Sequence, residues 1–291
     1  MKSEHIGILA IQEAHLDQQY VDRLHHLFGK CLNIHFSAAA HTTNAQGVAI
    51  ILNKEITNVL NVTATTIIPG RALFLTIPWH GNLNLKILNI YAPNGASENE
   101  HFWSDLQSAW EEKHLPPPDI LLGDFNIVED SLDRLPCHPD NASAVSALTD
   151  LHLKFNLQDG WRMTFPDSKA FSFLQPSTGS QSRIDRIYTS PHIITSAVDW
   201  QIFATAIPMD HHLVSLLRPR PVHTPSRHRV VNQTAPHIGK GRWTLPLFLL
   251  QDTKFAADVD YLGCKLEQDI HNCLPSRSQT QNPQTLFASF K

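Results

Sequence analysis

The chain has 291 residues, 42% hydrophobic and 17% charged, with a formal net charge of −4; this fits one large globular core or two modest ones and excludes a disordered chain. No apolar run approaches the roughly 18 residues of a membrane span, and the start has no basic region leading into an apolar stretch and a small-residue cleavage site, so a soluble intracellular protein is expected. Cys31, Cys137, Cys264 and Cys273 lack CxxC spacing, and the 18 histidines include adjacent pairs rather than i, i+4 ligand pairs, which predicts reduced packing thiols and no structural zinc.

The first apolar run, Ile6 to Ile11, lies within a dozen residues of Met1 and stops at Gln12-Glu13. It reads as a buried strand, 6–12, ending on a carboxylate. Asp17 ahead of Leu24, Leu27 and Phe28 predicts a helix. Strands follow at 47–52, 71–79 and 83–91, the last with Leu83, Leu85 and Ile87 alternating against Asn84 and Lys86 as in a half-buried strand. Ser97 and Glu100 form a capping-box pattern, and Phe102, Trp103, Leu106, Ala109 and Trp110 share one face of a helix that would cover a sheet. A strand is predicted at 119–123, and a helix carrying Val145, Leu148, Leu151 and Phe155 after Asp140 or Asn141. Strands at 170–174, 183–188, 197–203 and 213–217 complete the series. Such alternation indicates an α/β or layered α+β domain.

Apolar periodicity ends near residue 218, so residues 1–218 are expected to form the main domain. Residues 219–242 read as a basic Pro/His-rich linker, and 243–291 as a connector, partly helical or disordered. Charge is unevenly placed. From Arg218 to Arg242 there are six Lys/Arg and no Asp/Glu, which leaves 17 basic against 27 acidic side chains elsewhere. The basic segment is either a solvated linker or an arm that contacts phosphates.

Polar clusters stand where predicted strands end, the position at which layered α/β proteins place their sites. They are QE at 12–13, YAPN at 91–94, GDFN at 123–126 and MDHH at 209–212, with Asp185 embedded in an apolar strand. In GDFN, Asp124 and Asn126 either orient a water and a phosphate oxygen or close an Asx-turn. Asp210 suits a hard divalent ion, and His211 either pairs with Asp185 or sits as an ordinary surface or core imidazole. Tyr91 is a site-rim hydroxyl or a core ring. Glu13 is a metal ligand or a helix-start carboxylate.

Taken together, QE, YAP, GDFN, RID and DH in this order resemble the endonuclease/exonuclease/phosphatase superfamily. ILAIQEAHL, GVAIILNK, IPGRALFLTIPWH, NIYAPN, DILLGDFNIVEDSLDRLP and GSQSRIDRIY are similar to the endonuclease domain of fungal LINE-type retrotransposon proteins. IGKGRWTLPLFLLQD, at 238–252, resembles the connector leading out of that domain. The resemblance implies a four-layer α/β sandwich of two packed mixed sheets with outer helices. It also implies Mg²⁺- or Mn²⁺-dependent hydrolysis of DNA phosphodiesters, leaving a 3′-hydroxyl. In that reading Glu13 and Asp210 hold the metal, Asp124 activates water, Asn126 and Tyr91 bind the phosphate, and His211, oriented by Asp185, stabilises developing charge. Arg183 and Arg186 reach the DNA backbone or are ordinary surface arginines.

The family pattern includes a strand carrying an Asn ahead of the one ending in Glu, and no such residues precede IGILAIQE here. An N-terminally truncated domain with exposed neighbours of Glu13 and weak or absent activity is therefore expected. DNA is the expected partner of a monomer without small-molecule cofactor, and residence in the nucleus is compatible with this. The alternatives are a non-catalytic nucleic-acid-binding remnant and a small-molecule phosphoesterase of the same fold.

Overall fold

The computed structural model describes residues 1, 5–39, 47–79, 82–204, 210–218, 228–234 and 253–273. Two compact units are present, Met1–His237 and Ile238–Lys291. In the second, the described residues form one helix, Thr253–Cys273. No described helix is long and apolar enough to cross a membrane.

The first unit opens with β1 (Ile6–Gln12), α1 (Gln18–Phe28), β2 (Leu32–Ser37), β3 (Val48–Asn53), β4 (Thr63–Ile68), β5 (Ala72–Pro78) and β6 (Asn84–Tyr91). Helix α2 (Ala96–Glu112) leads to β7 (Ile120–Asp124), β8 (Arg134–Leu135), α3 (Ala142–Lys154), β9 (Gln158–Asp159) and α4 (Gly160–Thr164). Then come β10 (Phe173–Leu174), β11 (Gln181–Ser182), β12 (Asp185–Thr189), α5 (Pro191–Ile194), β13 (Asp199–Phe203), β14 (Leu213–Arg218) and β15 (His228–Thr234).

Two six-stranded mixed sheets result, ordered β13-β14-β15-β1-β3-β2 and β4-β5-β6-β7-β12-β9, with a small third sheet β10-β11-β8. The first core contains Ile8, Ile50, Val214 and Val230 from one sheet and Leu75, Ile87, Leu122 and Ile187 from the other, so the sheets pack face to face. The second core joins Phe74, Leu88 and Leu121 to Phe102, Trp103, Leu106 and Trp110 of α2 and Leu148 and Leu151 of α3. Burying a side chain of this size contributes about 1.5–3 kcal/mol. A layered α/β sandwich follows from these two apolar faces on one sheet.

Local signals act mostly as read. Asp17 caps α1 by accepting from the Tyr20 N–H at 2.6 Å, and Asn141 caps α3 through the Ser143 and Ala144 N–H groups. The Ser97–Glu100 box is not used: α2 starts at Ala96 behind Gly95, which makes no side-chain cap. Cys31 and Cys137 are free and exposed rather than packed. Strands β2 and β4 form at sheet edges without a sequence signal, and β4 is Thr-rich and half-exposed. The strand expected at 170–174 shrinks to the two residues of β10.

The largest departure is β15, which falls within residues assigned to the linker. It runs parallel to β1, with Asn232 opposite Ala10, and antiparallel to β14, with Asn232 also opposite Val214. The edge of β1 that was expected to be open is therefore covered. Val230, Val231 and Asn232 are buried, and pairing on both sides satisfies the strand's backbone groups, which outweighs its polar local composition. Residues 219–227, 235–252 and 274–291 of the expected linker and connector lie outside the described residues.

Beneath β12, Glu129 receives His152 Nε2 at 2.9 Å, Arg186 Nη1 at 3.2 Å and the Tyr188 hydroxyl. Burial alone would raise this carboxyl, but the bond from His152 and the charge of Arg186 prevail and bring it from 4.5 to about 2. Its stabilisation is complete above the unfolded value and lost as pH falls toward the folded one. Glu129→Gln should cost about 2–4 kcal/mol near neutral pH by leaving Arg186 without its counter-charge. Urea titrations should show that deficit narrowing at about pH 3, between the unfolded value of 4.5 and the folded value of about 2; an equal deficit at both pH values would contradict the assignment.

Candidate active site

Each chemical side chain sits where a strand of the sandwich begins or ends. Glu13 follows β1, Tyr91 ends β6, Asp124 ends β7, Asp185 opens β12, and Asp210 and His211 precede β14. Because the two sheets face each other, these ends converge on one pocket of about 300 Å³ lined by Glu13, Tyr91, Asp124, Asn126, Asp210 and His211. Asp185 lies behind it, fully buried. Asn94, Phe173, Gln175 and Ile184 complete the wall.

Backbone geometry turns the side chains inward. Glu13 adopts φ +52° and Asn126 φ +55°; a left-handed non-glycine residue costs on the order of 1–3 kcal/mol, less for Asn. Gly123 has φ +149°, and a Cβ there would stand 2.0 Å from the Ile90 carbonyl oxygen, so glycine alone permits the exit from β7. Asn126 donates its backbone N–H to Asp124 Oδ1 at 3.0 Å and its Nδ2 to the Ala92 carbonyl at 2.8 Å. The Asx-turn considered as a rival to function is present, and it is what aims both side chains.

The Tyr91 hydroxyl, expected on a phosphate, donates to Glu13 Oε1 at 2.5 Å. Burial and the Glu13 carboxylate push this phenol well above its ordinary range. Arg71, missed in the sequence, holds Tyr91 in place: Nη1 donates to its carbonyl at 3.0 Å and the guanidinium carbon lies 5.3 Å from its ring centroid.

Asp124 and Asp185 are direct partners on antiparallel strands. Burial, reinforced by the Asp185 charge, raises Asp124 from 3.8 to about 8. His211 Nδ1 lies 2.8 Å from Asp185 Oδ2, as expected of the pair. Burial would lower the imidazole, but Asp185 dominates and raises it to about 9. Phe173 packs on the ring at 4.7 Å between centroids. With Nδ1 engaged, Nε2 is the nitrogen left to meet a ligand.

The donor set fits a hard divalent cation. Ligand atoms of Asp124, Asp185 and His211 lie within 4.8 Å of one another, and Glu13 and Asp210, expected as the metal pair, share the pocket. Carboxylate oxygens with few nitrogens and no thiol suit Mg²⁺ or Mn²⁺. Carboxylates so crowded that one is held protonated are what an added positive charge relieves.

Two expectations are corrected. Arg183 and Arg186 are 2% and 0% exposed and do not face a nucleic-acid backbone. Arg183 binds Asp133 through Nε at 2.8 Å and Nη2 at 2.7 Å, and also meets Asp159 at 2.7 Å; Arg186 is committed to Glu129 and the Ile127 carbonyl. Among the wall residues, Asn94 stood in the YAPN cluster. Phe173 and Ile184 fell inside predicted strands at 170–174 and 183–188 and read as core residues, and Gln175, just past β10, carries no signal.

Residues 1–228 match the model of the Endonuclease/Exonuclease/phosphatase family. Over 202 residues, 68% of this chain, the sequence is 33% identical to the Transposon TX1 uncharacterized 149 kDa protein of Xenopus laevis, and it spans only 14% of that protein. The AP endonuclease LMAP from Leishmania major shares the fold with TM-score 0.63 and 16% identity, over 76% of this chain and 80% of that one. The 3′ phosphatase NExo from Neisseria, bound to product DNA hairpin, does so with TM-score 0.59 and 20% identity, over 74% and 89%.

Asp185 is the group that holds His211 charged. Its pairing energy is fully present below the ordinary imidazole value of 6.5 and lost as pH rises through about 9. In metal-free solution, Asp185→Asn should return the His211 titration, followed by NMR, toward 6.5. An unchanged midpoint would remove Asp185 from this role.

Proposed function

The chain belongs to the endonuclease/exonuclease/phosphatase family, and we propose that it is a metal-dependent DNA endonuclease of the LINE-type retroelement kind, cutting a phosphodiester to leave a 3′-hydroxyl. The observation that carries this reading is the convergence of Glu13, Asp124, Asn126, Asp210 and His211 on one polar pocket, with Asp185 bonded to His211 from behind. The likeness to a transposon protein supports the retroelement assignment.

A bound Mg²⁺ or Mn²⁺, held by Glu13 and Asp210, would neutralise phosphoryl charge and acidify water. The chain's own groups do the rest. Asp124, fixed by the Asn126 N–H, takes the proton of the attacking water. Asn126 has one amide hydrogen on the Ala92 carbonyl and presents the other to a phosphate oxygen. His211, kept positive by Asp185, donates from Nε2 as charge accumulates on the phosphoryl oxygens. Tyr91 acts through Glu13, holding that carboxylate toward the pocket. With β15 covering β1, cutting is expected rather than the weak or absent activity that an open edge implied. The protein works as a monomer on DNA without a small-molecule cofactor, in the nucleus where its target lies.

Nicking of supercoiled plasmid in Mg²⁺ tests the proposal. Glu13→Ala, Asp124→Asn and His211→Ala should each lower the rate about 10²–10⁴-fold, chelation should abolish it, and a polymerase should extend the nick directly. Nicking indifferent to all three substitutions would overturn the reading. So would salt-sensitive binding without cleavage, identical in all variants, or phosphate release from small esters without nicking.

A further inference from the structure

Strand β15 begins at residue 228, where the family match ends. It nevertheless lies inside the first sheet, between the strand that leads to Glu13 and the strand that leaves His211. A sequence expected to be a linker thus forms part of the wall that holds two groups of the pocket.

Asn232 is the unusual residue in it. Asn is disfavoured in strand interiors, and a carboxamide taken wholly out of water is costly unless both its ends are bonded. Asn232 is fully buried. Its Nδ2 donates to the Gly123 carbonyl at 3.0 Å, while Oδ1 has no hydrogen-bond partner among the described residues. Half-satisfied, this amide contributes little net stability, and an apolar side chain of its size would serve the core as well or better. What it does supply is position. Gly123 belongs to the opposite sheet, has no room for a side chain, and directly precedes Asp124.

The other strand end shows the same construction. Gln12 Nε2 donates to Asn89 Oδ1 at 2.5 Å, and Asn89 Nδ2 donates to the Ile11 and Ala49 carbonyls at 3.1 and 2.9 Å. Gln12 precedes Glu13, and Asn89 stands two residues before Tyr91. Each carboxylate on the two facing strands is therefore one residue beyond a buried amide bond that crosses between the sheets.

We propose that β15 completes the active site and that Asn232 is a positioning residue for Asp124, acting through the Gly123 carbonyl. This deepens the nuclease reading and rests on it. In the full chain, amide hydrogen exchange across 228–234 should be as slow as across 213–217, and Asn232→Leu should speed exchange across 120–126. That variant should keep or raise the unfolding midpoint and leave KM for plasmid unchanged, while kcat for nicking falls about 10-fold or more. Asn232→Ala should show the same loss of kcat with lowered stability.

Rapid exchange across 228–234 would overturn the placement of the strand. Wild-type nicking by a stable Asn232→Leu chain, or loss of activity only in step with loss of fold, would overturn the role of Asn232. If the parent chain does not nick at all, the nuclease reading fails by itself; the exchange of 120–126 in Asn232→Leu then decides the tie, an unchanged rate rejecting it.

Discussion

Two carboxylates, Asp124 and Asp185, face each other across an antiparallel strand pair in the interior of the protein, and the rest of the site follows from what that costs. Burial, reinforced by the charge of Asp185, favours the protonated form of Asp124. The counter-charge comes from His211, which precedes a strand of the other sheet. The electrostatics of the site are thus also a link between the two halves of the sandwich. An apolar core alone would let the sheets pack over a range of offsets, whereas a 2.8 Å bond between Asp185 and His211 selects one.

Asp185 is itself confined from both sides. Arg183, two residues before it, is clamped to Asp133 and Asp159 and lies 5.0 Å from the Trp161 ring centroid. Arg186, the next residue, is held by Glu129 over the rings of Phe125 and Tyr188. Buried ion pairs of this kind add little net stability, because desolvation offsets their attraction. Their effect is directional: the strand cannot slide without breaking charge-assisted bonds at both ends of a four-residue stretch. Arg183 and Arg186, buried rather than facing DNA phosphates, serve the site from inside.

This explains which parts of the molecule were legible in the sequence. Strand-end carboxylates and amides stood out because apolar runs stop abruptly at them, and Glu13, Tyr91, Asp124, Asn126, Asp210 and His211 indeed meet in one pocket. Burial of a charge is not legible locally, since the partners of Arg183 and Arg186 lie roughly 25 to 60 positions away in the chain and nothing in SRIDRIY announces them. Likewise HRVVNQT has two valines in a basic, proline-rich neighbourhood. Its strand identity comes from partners β1 and β14, which supply pairing that local propensity does not. The capping box at Ser97 failed for a smaller reason of the same type, since the helix is entered two residues earlier, at Gly95.

Strain and closeness complete the account. Strand ends in a layered α/β domain ordinarily diverge into loops, and side chains there point in many directions. Here Glu13 and Asn126 are left-handed, and Gly123 takes a conformation open only to glycine, so the exits from β1 and β7 both turn their side chains toward one pocket. Such conformations persist only where neighbouring bonds over-determine them. The neighbours are identifiable: Tyr91 on Glu13, the Ala92 carbonyl on Asn126 and Asn232 on Gly123. Each is a polar bond contributed by an element other than the one it constrains. The pocket is accordingly a property of the closed sandwich as a whole, and a linear segment lifted from it would hold the same residues without their convergence.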